Sequence, residues 1–123
     1  MRIAITSHGQ DKSSLIDPRF GRAEYLIIHD TQTGSWEAHI SQNLVESNGT
    51  GIHAARNILE LGAEMLITGH VGPKAFRILN ANGLKVYSVG DTGDKLTADK
   101  IPALLTAGKL IKLNVPNAID FKK

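Results

Sequence analysis

Met65-Leu66-Ile67-Thr68 restricts the fold of this chain more than any other stretch. It is too short for a helix, carries no charge, and does not alternate apolar with polar. A strand of that kind needs cover on both faces, as the central strand of a sheet between two helical layers has. Its surroundings agree. Upstream, Ile52, Ala55, Ile58, Leu59 and Gly62 recur at three- and four-residue steps, and Gly62 is a natural helix stop. Downstream, Pro73 suits a first helical position, Ala75, Ile78 and Leu79 face inward, and Gly83 ends the helix before a strand over Leu84–Val89.

The remaining elements follow from the same signals. Ile3–Thr6, Tyr25–His29 and Trp36–Ile40 are apolar runs with β-branched or aromatic residues, and a turn over 30–34 joins the last two as an antiparallel hairpin. Leu96–Ala107 reads as a third helix with Thr97 as cap, Pro102 as a local defect and Gly108 as its end; Leu110–Leu113 is a short extended piece. The order predicts an α/β domain of three layers. Its mixed five-stranded sheet has the order 3-2-1-4-5, helices on both faces, strands 1, 4 and 5 parallel, and strand 2 antiparallel. One domain spans residues 1–115, and residues 116–123 form a frayed tail.

Composition narrows the function. The chain has 123 residues, 41% of them hydrophobic, enough for one core. A net charge of +2 without a basic block argues against nucleic acid. Cysteine is absent, which excludes disulfides, thiolate-held metals and a catalytic thiol. No apolar run approaches a membrane span and Met1-Arg2 leads straight into a strand, so the expectation is a soluble cytoplasmic protein.

In this topology the loops 7–23, 41–51, 68–72 and 89–95 gather at the carboxyl ends of the strands, where open α/β sheets bind ligands. The first carries Asp17-Pro18-Arg19-Phe20-Gly21-Arg22. Asp-Pro sets a turn and Gly21 admits unusual φ, so the motif can hold two guanidinium groups in a defined pose. Two readings compete. Arg19 pairs with Asp17 and Arg22 with Glu24 as a staple, or both arginines bind an anion. Gly49 and Gly51 before the first helix, and Gly69 and Gly72 around His70 before the second, add backbone donors at two helix starts. Between its glycines, His70 is either a surface loop residue or a ligand of metal or anion, and His8 lies near it at the strand divergence. A loop as long and polar as 7–23 is expected to be loosely held without its ligand.

Other chemistries fail on the residues. His8, His29, His39, His53 and His70 show no zinc spacing. The element order invites comparison with ribonuclease H, but strands 1 and 4 lack the acids that a two-metal nuclease needs. No serine-histidine-aspartate order with a nucleophile elbow is present. The residues point to binding, not catalysis.

Met1-Arg2-Ile3-Ala4-Ile5, Asp17 to Ala23, Gly49-Thr50-Gly51, Thr68 to Ala75 and Gly108-Lys109-Leu110 resemble the dinitrogenase iron–molybdenum cofactor biosynthesis family, in order and spacing, over residues 1 to about 113. The resemblance implies a ribonuclease-H-like fold that carries or stores an anionic metal–sulfide cluster containing molybdenum with copper or iron. It implies exchange with a cluster donor or acceptor protein. A free-standing domain resembles the family's nitrogenase-accessory or molybdenum–copper carriers and not a cofactor synthase. The family's arginine motif falls on Arg19, Phe20, Gly21 and Arg22, and its second loop on Gly69 to Pro73. With no cysteine, only His70 and His8 could ligate metal directly. The alternative reading is a module that binds a phosphorylated metabolite or nucleotide through the same loops.

Overall fold

The computed structural model describes residues 1–40, 50–90 and 95–117. Its elements are β1 (Arg2–Ser7), β2 (Tyr25–Asp30), β3 (Trp36–Ile40), α1 (Thr50–Glu60), β4 (Met65–Thr68), α2 (Pro73–Ala81), β5 (Lys85–Ser88), α3 (Ile101–Thr106) and β6 (Ile111–Lys112). They form one sheet in the order β3-β2-β1-β4-β5-β6. As the apolar run demands, β4 lies inside, parallel to β1 on one side and to β5 on the other, and all four of its residues are buried. The pair β1–β2 is antiparallel, as is β2–β3.

Alternation along these strands builds two cores. Ala4, Leu26, Ile28, Leu66 and Val86 meet Ala55 and Ile58 of α1 and Ala75, Phe76 and Leu79 of α2. Ile3, Ile5, Ile27 and Ile67 face the other way, against Ile16, Ala98 and Ile101. Burying one such side chain contributes roughly 1.5–3 kcal/mol.

Two expectations need correction. The sheet has six strands, not five, because β6 adds antiparallel to β5 through Tyr87–Lys112 and Ser88–Ile111. Gly108, at φ 69°, turns the chain after α3 so that this can happen. Both residues of β6 are exposed, which leaves no burial pattern to read in so short a strand. The third helix is also shorter than 96–107. A 3-10 turn over Ala98–Lys100 precedes α3, and Pro102, which lacks an amide hydrogen, sits in the first turn of α3.

Residues 8–16 are not loosely held. Ser7 pairs with Ile16 and Leu15 with Thr97 in antiparallel bridges. Ile16, Ala98 and Asp99 donate backbone hydrogen bonds to Leu96, Ser14 and Lys12 at 2.8–3.0 Å. Ile16 is fully buried. Among the described residues no helix is long and apolar enough to cross a membrane.

Candidate functional site

The site grows from the end of β1. Thr6 Oγ1 lies 2.6 Å from the Asp17 carbonyl and 2.7 Å from Thr68 Oγ1, so the two hydroxyls tie β1, β4 and the arginine motif together. The Asp17 amide returns to the Thr6 carbonyl at 3.0 Å. That leaves the Asp17 side chain only 1% exposed, an unusual place for a carboxylate. Arg19 supplies what it needs: its backbone N–H, Nε and Nη2 all donate to Asp17 at 3.0 Å. His8 Nδ1 stands 3.5 Å from the same carboxylate.

Burial alone would push the Asp17 carboxyl up. The hydrogen bonds from the Arg19 side chain and backbone, with the charges of His8 and Arg19, more than offset that and hold it below its ordinary value. The Arg19 guanidinium is raised in turn by the Asp17 hydrogen bond and charge. Half of the staple therefore exists. Its other half does not: among the described residues no ion pair joins Arg22 to Glu24, and the exposed Arg22 side chain has no hydrogen bond. The Arg22 amide closes a turn onto the Arg19 carbonyl at 3.1 Å. Gly21 there adopts φ 90°, which a side chain would resist. The half-buried Phe20 packs against the α1–α2 core and anchors the motif.

The loop after β4 is zipped to this motif. The His70 amide donates to the Pro18 carbonyl at 2.7 Å and the Phe20 amide to the His70 carbonyl at 3.3 Å, a parallel bridge that pairs Arg19 with His70. Gly69 permits the contact. A Cβ at that position would lie 2.5 Å from Pro18 Cβ and 2.7 Å from its carbonyl oxygen. Beyond the exposed His70, Gly72 caps α2 in an extended conformation without a side-chain cap, and Pro73 opens the helix. Among the described residues no side chain caps the N–H groups of the first turn, and the exposed Lys74 stands beside them. Gly51 has a packing role as well, since a Cβ there would stand 3.4 Å from Ala75 Cβ at the α1–α2 contact. Gly49 lies outside the described residues.

Arg19, Phe20, Gly21, Gly69, His70 and Gly72 are therefore brought into one contiguous strip, with Arg22 at its edge. His8 joins through Asp17. Among the described residues no group of three or more histidines and acids could hold a metal ion. Asn117 was invisible in the sequence. Its side chain donates to the Gly69 carbonyl at 2.9 Å and accepts from the Val71 amide at 2.8 Å. Asn117 belongs to the tail expected over 116–123, of which residues 118–123 lie outside the described residues. A separate concavity of about 370 Å³, lined by Gln10, Asp11, Lys12, Ser13, Ile27, Trp36 and Glu37, shares no residue with the strip. Its two acids and one lysine do not select an anion.

The strip offers cationic side chains and backbone donors, and its one buried carboxylate is taken up by Arg19. Fold and strip together define an α/β protein that gathers arginine side chains and backbone donors at the carboxyl ends of its parallel strands. The family described as dinitrogenase iron-molybdenum cofactor matches residues 1–100, and the chain belongs to that family. It is similar to the apo form of the orange protein from Desulfovibrio gigas, with a TM-score of 0.87 and 37% identity over 95% of this chain and 96% of that one. It is also similar to a putative NifB protein from Thermotoga, with a TM-score of 0.78 and 36% identity over 95% and 97% of the two chains. An uncharacterized protein of Methanocaldococcus jannaschii is 29% identical over 100 residues, 79% of this chain and 81% of the relative.

Proposed function

We propose that this protein is a non-catalytic carrier or storage protein for an anionic metal–sulfide cluster containing molybdenum with copper or iron. The cluster is cargo, exchanged with a donor or acceptor protein. The observation that carries this reading is the Arg19–His70 bridge, which joins the arginine motif to the uncapped start of α2. The chain has no cysteine, so the sulfur must arrive with the cargo, and the protein holds it from outside through hydrogen-bond donors.

Arg19 spends Nε and one Nη2 hydrogen on Asp17, which leaves its outer edge for the anion. Arg22, Lys74 and the amides at the start of α2 complete the set, with His70 beside them. Each charge-assisted contact is worth roughly 1.5–3 kcal/mol. After the entropy of association, a few of them give a dissociation constant on the order of micromolar. The test is to incubate the protein with tetrathiomolybdate, alone and with Cu(I), and to pass it through a desalting column. The expected result is a coloured protein fraction with molybdenum in proportion to protein. A colourless fraction that instead retains a nucleotide or phosphorylated metabolite overturns the reading.

A further inference from the structure

The far end of the described chain reaches the site. After β6 the Leu113 amide donates to Val86 at 2.9 Å, and the chain runs on to Asn117, over the loop between β4 and α2. There Asn117 uses three groups at once. Its Nδ2 donates to the Gly69 carbonyl at 2.9 Å. Its Oδ1 accepts from the Val71 amide at 2.8 Å. Its backbone amide donates to the Val71 carbonyl at 3.1 Å.

The backbone polar groups from the Gly69 carbonyl to the Val71 carbonyl can each be followed to a partner. The Gly69 carbonyl takes Asn117 and the Ser88 hydroxyl, the latter at 2.7 Å. The His70 amide and carbonyl go to Pro18 and Phe20 of the arginine motif. The Val71 amide and carbonyl go to Asn117. The loop that carries His70 and leads into α2 is thus held on one edge by the arginine motif and on the other by Asn117.

We infer that Asn117 is a positioning residue of the anion site, an inference that rests on the function proposed above. The side-chain amide fixes the Gly69–Val71 segment so that His70 and the start of α2 meet Arg19 in register. Few side chains can do this. A primary amide carries a donor and an acceptor on one planar group, and here each meets a backbone partner two residues apart. Alanine removes both and leaves the Val71 amide without its acceptor. Aspartate keeps the acceptor but sets a charged oxygen against the Gly69 carbonyl. Ser88 still serves that carbonyl in either variant, so the Val71 amide is where loss is felt.

The test uses full-length Asn117→Ala and Asn117→Asp, with Asn114→Ala as a control at an exposed position of the same segment. The first readout is amide hydrogen exchange without any anion. Asn117→Ala should speed exchange at His70 and Val71 about tenfold, matching the loss of a satisfied buried donor, and leave Leu66 and Ile67 unchanged. The second readout is titration with tetrathiomolybdate. Asn117→Ala should bind about tenfold more weakly, Asn117→Asp less so, and Asn114→Ala like the parent. Unchanged exchange at His70 and Val71 in Asn117→Ala overturns the inference, as does faster exchange with undiminished tetrathiomolybdate affinity. Parent protein that retains no tetrathiomolybdate overturns the proposed function instead, and exchange at His70 and Val71 then still decides whether Asn117 fixes the loop.

Discussion

Residues 8–16 and residues 17–22 lie end to end after the same strand, yet different forces hold them. The first stretch is anchored by Ile16, fully buried against Ile101 and Ala98, and by backbone hydrogen bonds to residues 96–99. The second is anchored on a buried carboxylate and its arginine, a backbone bridge to His70, and the partial burial of Phe20. One anchor is apolar and indifferent to pH and salt; the other is largely electrostatic. The contrast places cations at the rim without leaving the loop to their mutual repulsion. Asp17 neutralises one guanidinium and aims it, and Arg22 at the edge has no ion-pair partner among the described residues.

The largest effect should come from the apolar anchor. Ile16→Ala empties a fully buried position and should cost about 2–5 kcal/mol in chemical denaturation. Most of that loss should survive at 1 M salt, where the Debye length is only about 3 Å. If high salt abolished the difference between variant and parent, the two stretches would not be held by different forces.

Asp17→Asn tests the electrostatic anchor. The folded carboxyl lies below its ordinary value of 3.8, so its contribution to stability is fully present above that pH. It is lost as pH falls through the folded value, because the unfolded chain binds the proton first. The variant should therefore be less stable than the parent at neutral pH, by roughly 1.5–3 kcal/mol for the lost charge-assisted bonds. The gap should close on acidification below about 3.8. Denaturant midpoints for both proteins from pH 7 down to 2.5 measure it, and a gap that stays constant would mean that Asp17 is held for shape alone.

The fold was legible where burial writes a pattern. The uncharged, non-alternating Met65–Thr68 announced a central strand, and glycine and proline marked the helix ends around it. The sixth strand was not legible, since Ile111 and Lys112 are both exposed and too few to alternate. In the candidate site, the loop placement read from the sequence brought the Asp-Pro-Arg-Phe-Gly-Arg motif and the glycines around His70 to the same end of the sheet, and the structure bridges them at Arg19 and His70. Gly69 also has a packing reason that spacing does not show: Pro18 lies too close for a Cβ at that position. Asn117 left no signal, because it acts across a separation of 46–48 residues through contacts with backbone alone, and a tail of asparagine and proline reads as loose chain. The short-range pairing of Arg22 with Glu24 was a reasonable guess from spacing. It fails in the structure, and Arg22 is left facing solvent.

That failure separates the two arginines as experimental targets. Removing Arg19 strands a carboxylate that is 1% exposed, so any loss of anion binding would be entangled with loss of fold. Arg22 has no such partner among the described residues, and its exposed side chain should be removable for less than about 0.5 kcal/mol of stability. If the guanidinium contacts the cargo, Arg22→Ala should weaken tetrathiomolybdate binding by about tenfold or more, the value of one charge-assisted contact. The loss should be greatest at low salt, because a partly exposed contact is screened as ionic strength rises. Titrations at 20 mM and 500 mM salt, set beside thermal melts of the same samples, give both quantities. Equal affinity of Arg22→Ala and parent at both salt concentrations would leave Arg22 a solvated side chain and confine the anion site to Arg19, His70 and the start of α2.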